Sequence, residues 1–254
     1  MAAEIGRVVA LGASNLTRGL HTIVWTSRAL WGPQVEILGA LGHGRSYGVR
    51  SHFTVRALPG ILDSGVWRAL ESRPPVPTRA LVTDIGNDIM YGYSAEQTLA
   101  WVEEAVDRLQ RVTNDIILTD LPLASVRRLS PARFHVFRSL VVPSCRLGLP
   151  QLLEIAERVQ AGLTAMAARR AVTLFRLKPA WYGLDPIHMR PRSWRSAWQE
   201  ILGGGFPDGP AGRSPLEAWR LYFMRPERQW ILGVEQYTPQ AGVALRSGPR
   251  VWLY

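Results

Sequence analysis

Four side chains that together can open an acyl bond lie far apart in this sequence: Ser14, Asn87, and the pair Asp185 and His188. A serine hydroxyl is a weak nucleophile until a histidine takes its proton, and that histidine needs a carboxylate to fix its tautomer and steady the imidazolium. In Asp185-Pro186-Ile187-His188 the carboxylate and the imidazole can meet within one turn, which leaves the second ring nitrogen for Ser14. The tetrahedral intermediate then needs donors for its oxyanion. The N–H of Ser14, the N–H of Gly44 and the side-chain amide of Asn87 are the candidates. Each residue also has an ordinary role open to it: Ser14 or Asn15 as a helix cap, Asn87-Asp88 and Asp185-Pro186 as turns, His188 as a surface histidine.

What sets these residues apart is where the elements put them. Val8-Val9-Ala10-Leu11 is an apolar run that reads as a strand buried on both faces, and the pattern from Leu16 to Leu30 reads as the helix after it. Ser14 falls at the corner between them. Further strands are expected at Gln34–Ala40, Arg79–Ile85, Asp115–Pro122 and Ala171–Leu177. Helices are expected from about Leu58 to Leu70, from the Ser94-Ala95-Glu96-Gln97 capping box to about Val112, along Leu152–Leu163, and from Pro191 through Leu202. Strands alternating with helices five times indicate a parallel sheet covered on both faces. In such a sheet ligands gather beyond the carboxyl ends of the strands. Ser14, the glycine-rich run Gly39–Gly48, Asn87 with Asp88, and Asp185 with His188 all follow strands in this way.

Composition bounds the rest. The chain is long enough for one large α/β domain, and 47% hydrophobic with 20% charged residues is a globular composition. Its formal charge is +10, and Lys178 is the one lysine among 30 basic residues. The arginines are scattered over most segments, which argues against dedicated nucleic-acid binding and leaves a preference for anionic substrates open. Arg190, Arg192 and Arg195 open the last helix of the domain, as solvated cations or as a grip on an anionic substrate group, with Arg190 next to the proposed base. The single cysteine, Cys145, suits a buried thiol. No stretch is apolar enough to insert in a membrane and the N-terminus does not read as a leader, so a cytoplasmic protein is expected. No metal-ligand spacing or phosphate-binding lysine loop occurs, and neither metal nor cofactor is expected. Gly42-His43-Gly44-Arg45-Ser46 loosely imitates a dinucleotide loop, but Asp63 does not end a strand as that site requires.

Four blocks of the sequence resemble the SGNH (GDSL-like) hydrolases. Gly12-Ala13-Ser14, followed by Leu16-Thr17 and Gly19, is similar to the family's first block, and Gly44-Arg45-Ser46 to its second. Gly86-Asn87-Asp88 is similar to the third and Asp185-Pro186-Ile187-His188 to the fifth. They occur in the family's order between positions 12 and 188. Three departures stand out: Ala13 replaces an aspartate, Ile85 occupies the position of a glycine in the third block, and Gly42 competes with Gly44. The resemblance implies a flavodoxin-like three-layer sandwich with a five-stranded parallel sheet. It also implies a serine hydrolase of carboxylic esters, of esterase, lipase or carbohydrate acetylesterase type, working on a small-molecule ester. Ser14, Asp185 and His188 would be its triad; Ser14, Gly44 and Asn87 its oxyanion donors; His43 and Arg190 its substrate contacts. The alternative is a non-catalytic module of the same fold that recognises an anionic partner. The domain is expected to span residues 1–204. Residues 205–254, a helix near Leu216–Phe223 and strands ending in a hairpin, should pack on it as an extension. The aromatic residues of that extension can serve packing, roof the pocket or bury a dimer contact.

Overall fold

The computed structural model describes residues 6–142, 145–203 and 214–254. Glu4 and, apart from Gly203, the glycine-rich stretch 203–210 lie outside them. The strands are β1 (Arg7–Leu11), β2 (Glu36–Ala40), β3 (Ser51–Phe53), β4 (Arg56–Leu58), β5 (Thr78–Val82), β6 (Ile116–Thr119), β7 (Thr173–Phe175), β8 (Arg228–Ile231), β9 (Val234–Tyr237), β10 (Val243–Ala244) and β11 (Arg250–Leu253). The α-helices are α1 (Ser14–Trp31), α2 (Val66–Glu71), α3 (Asn87–Met90), α4 (Ala95–Gln110), α5 (Leu123–Val126), α6 (Pro131–Val141), α7 (Leu149–Arg170), α8 (Pro191–Leu202) and α9 (Pro215–Tyr222).

The main sheet has the order β10-β11-β2-β1-β5-β6-β7, and all of its pairings are parallel except β10 with β11. Its five expected strands follow the flavodoxin-like order, with β1 and β5 flanking the point where the winding reverses. Successive residues of β1 feed the two faces. Val9 and Leu11 join the core under α4 and α7, while Val8 and Ala10 join the core under α1 and α8. Close helix packing rests on Gly19, where a Cβ would sit 1.9 Å from the Trp198 indole nitrogen of α8. The expected cap of α4 is present, Ser94 Oγ accepting from the Gln97 N–H at 3.2 Å.

Two differences from the sequence reading matter for the site. The strands near the carboxyl end do more than form a hairpin: β11 lies parallel to β2 and widens the main sheet. In addition, the region read as one helix from Leu58 to Leu70 begins as a strand, passes through a short 3-10 turn at Ile61–Asp63 and becomes α2 only at Val66. Pro59-Gly60 prevents an earlier start. The strand β4 pairs with β3 and β8 in a second, antiparallel sheet of order β3-β4-β8-β9, with α9 packed on α1 beside it. Among the described residues no helix is long and apolar enough to cross a membrane.

Candidate active site

The corner after β1 is held from outside. Asp84, just beyond β5, accepts from the N–H groups of Ala13 (2.9 Å) and Leu16 (3.1 Å). It therefore does for the start of α1 what a capping side chain usually does locally. Asp84 itself adopts a left-handed backbone, φ 60°, which aspartate tolerates better than most residues. The N–H of Ser14, lying between those two donors, has no acceptor among the described residues. It is a helix-start donor left open beside the hydroxyl.

Ser14 and His188 are both buried, and Ser14 Oγ lies 2.9 Å from His188 Nε2. On the other side of the ring, His188 Nδ1 is 2.5 Å from Asp185 Oδ2. The second carboxylate oxygen accepts from the N–H groups of Ile187 and His188, each at 3.1 Å, so the Asp-x-x-His turn is closed on itself. Burial pushes the Asp185 carboxyl up, but the His188 hydrogen bond and charge with the two backbone donors outweigh it and hold it below the ordinary carboxylate value. Asp185 is thus held as a carboxylate at neutral pH.

Asn15 clamps this turn to the helix. Its Nδ2 donates to the Ile187 carbonyl at 2.8 Å and to Asp84 Oδ1 at 2.8 Å, while its Oδ1 accepts from the Met189 N–H at 2.8 Å. The residues on either side of His188 are thereby tied to the residue after Ser14. The sequence offers Asn15 only as a helix cap and Asp84 only as a strand residue. The one available signal was Ala13, whose missing carboxylate asks for a substitute.

The other proposed donors are fixed by a second buried network. Asn87 donates to the Arg45 carbonyl at 3.2 Å, and it lines, with Ser14, Ile85 and Met189, a cavity of about 60 Å³. Asp88 accepts from Ser46 Oγ and from the Tyr47 N–H at 3.0 Å; burial raises its carboxyl to about 6 despite these bonds. Tyr47 Oη bridges the carbonyls of Leu11 (3.2 Å) and Thr83 (2.8 Å), joining the ends of β1 and β5. The Arg45 guanidinium is fully buried against the carbonyls of Leu41, Pro59 and Tyr254, and burial lowers it to about 9. Gly44 takes φ 65°, and its carbonyl accepts from Tyr91 Oη. Gly42 faces the second sheet, where a Cβ would meet Leu58 at 2.0 Å.

Of the two expected substrate contacts, His43 stands beside the site, its ring tilted against Phe53 at 5.3 Å and within electrostatic reach of His188. Burial, then Arg18, Arg56 and His188, lower it to about 4, so it is neutral near pH 7. Arg190 is engaged elsewhere. Its guanidinium donates to the Ala180 carbonyl, its stem lies along Gly183, and it does not line the cavity at Ser14. Among the described residues no cluster of side chains suited to a metal ion occurs.

No family model and no curated protein matches the chain. Solved structures do. An inhibitor-bound aryl esterase from M. smegmatis is similar over 78% of this chain and 97% of its own, with 13% identity and a TM-score of 0.51. A member of the lipolytic protein G-D-S-L family from Veillonella parvula covers the same shares at 13% identity and a TM-score of 0.49. At these identities the likeness to the aryl esterase is one of fold.

Proposed function

We propose that this chain, which has the SGNH-hydrolase fold, is a serine hydrolase of carboxylic esters. The observation that carries the reading is the continuous line from Ser14 Oγ through both His188 nitrogens to Asp185, at 2.9 and 2.5 Å. In the acylation step His188 Nε2 takes the Ser14 proton as the oxygen attacks the ester carbonyl. The proton then passes to the departing alcohol, and the acyl group stays on Ser14. Water, deprotonated by the same nitrogen, releases the acid and restores the hydroxyl. Asp185 keeps Nδ1 as the donor and offsets the charge of the transient imidazolium.

The developing oxyanion has the open N–H of Ser14 and the amide of Asn87 within one cavity, with the positive end of α1 behind them. Gly44 is proposed as the third donor. The cavity favours a short acyl group, since its 60 Å³ are walled by Ile85, Met90, Leu121 and Met189. Hydrolysis of 4-nitrophenyl acetate, butyrate and octanoate by wild type and Ser14→Ala tests the assignment. Loss of at least about 10⁴-fold in kcat is expected for the variant; undiminished turnover would rule it out. Acetate should be preferred over octanoate.

A further inference from the structure

A second and larger hollow lies near the Ser14–His188 pair and shares no lining residue with the cavity at Ser14. It measures about 440 Å³ and is lined by Thr17, His43, Phe53, Arg56, Tyr222 and Phe223, among others. It adjoins the site through three residues. Thr17 is one turn along α1 from Ser14 and donates to the Ala13 carbonyl at 2.7 Å. His43 precedes Gly44, and Phe53 would be 3.6 Å from a Cβ on Gly44. The walls come from the β3–β4 hairpin, β8 and the end of α9, so the second sheet and α9 together build one side of it.

The charge inside this cleft is one-sided. Arg56 is half-buried near His43 and Tyr222 and lies against Gly42, and its guanidinium makes no ion pair or hydrogen bond among the described residues. Arg225 lines the same cleft, and none of its lining residues is a carboxylate. Other buried or partly buried arginines have partners for their guanidinium: Arg7 and Arg73 pair with Glu36 and Arg79 with Asp115, while Arg28, Arg45 and Arg138 donate to backbone carbonyls. A guanidinium taken out of water without a partner is costly, and a ligand carboxylate restores what it has lost. Phe53, Tyr222 and Phe223 around it offer faces for an aromatic or flat apolar body.

We propose that this cleft receives the alcohol portion of the ester and that Arg56 pairs with a carboxylate on it. The substrate is then a short-chain ester of an acidic, preferably aromatic, hydroxy compound. This rests on the hydrolase reading for the orientation of the ester, but not for the anion site itself.

The test uses two isosteric acetates, 4-acetoxyphenylacetate and the neutral 4-acetoxyphenylacetamide. Wild type is expected to show at least a ten-fold higher kcat/KM for the charged ester, expressed mainly in KM. Arg56→Gln should bring that ratio close to one, Arg56→Lys should restore most of it, and Arg111→Gln, at the far end of α4, should leave it as in wild type. A ratio near one in wild type, or one untouched by Arg56→Gln, would overturn the proposal. Binding of 4-hydroxyphenylacetate to the Ser14→Ala protein, followed by calorimetry, reads the anion site without turnover. Binding weakened at least ten-fold by adding Arg56→Gln supports the site even if no ester is cleaved, and binding that ignores Arg56 sinks it. If neither acetate is cleaved and a fluorophosphonate leaves Ser14 unlabelled, the hydrolase reading fails separately.

Discussion

The rim of the main sheet and the cleft beside it are built on opposite principles. At the rim, Ser14, Asn15, Asp84, Asp88 and His188 are buried or half-buried and their side chains are tied to strand ends, helix starts and one another. In the cleft, Tyr222 and Phe223 are 63% and 59% exposed and Arg56 is unmatched. Chemistry asks that reacting atoms be held to fractions of an ångström, which a closed hydrogen-bond network achieves. Recognition asks for surface whose free energy is still to be gained when a ligand arrives. The contrast teaches that order and function are not graded together here: the less satisfied region is the one left ready for a partner.

Perturbing each region should therefore give different kinds of loss. The largest effect expected in the rim, after the proposed nucleophile, is from Asn87→Ala, about 10²- to 10³-fold in kcat with little change in KM, because the oxyanion donor we propose it to be acts in the transition state alone. Asn15→Ala releases the His188 turn from the helix and should lower kcat by about 10- to 100-fold. Slower fluorophosphonate labelling of Ser14 in that variant would show misplacement, and an unchanged rate would mean that the turn is held without Asn15. Phe223→Ala, in the cleft, should raise KM for aryl acetates by only about 2- to 5-fold and leave kcat and the melting temperature where they are. A large fall in kcat there would erase the distinction between the regions.

The smallest effect belongs to Asp88, and it is on stability. Its native carboxyl titrates near 6 against an ordinary 3.8, so between these values the folded chain holds a proton that the unfolded chain has released. Its contribution to stability falls as pH rises through that window. Urea titrations at pH 4 and pH 6.5 should show this decline in wild type and a flatter dependence in Asp88→Asn.

Much of this architecture is legible in the residues themselves. Val8-Val9-Ala10-Leu11 and Ile116-Ile117-Leu118 are apolar runs whose only comfortable place is a sheet covered on both faces, and Pro191 marks the start of α8 at the expected residue. Ser14, Asp185 and His188 could be sorted by their place after strands, and they come together in the folded chain. The second sheet was not legible. Ser51–Phe53 is too short to show alternation, and β4 is completed by β8, about 170 residues later, which no local pattern announces. Asp84 was hidden for a related reason. Helix starts are expected to be capped by their own residues, and here the cap comes from the end of another strand.

The position of β11 has a consequence for how the chain acquires its shape. The strand β2 lies between β1 and β11, so one edge of β2 stays unpaired until residues 250–253 are available. Until then this inner strand offers bare amides and carbonyls to any neighbour. Closing it requires a contact spanning more than 200 residues, and pairing at such sequence separation is slow because the intervening loop must first be closed.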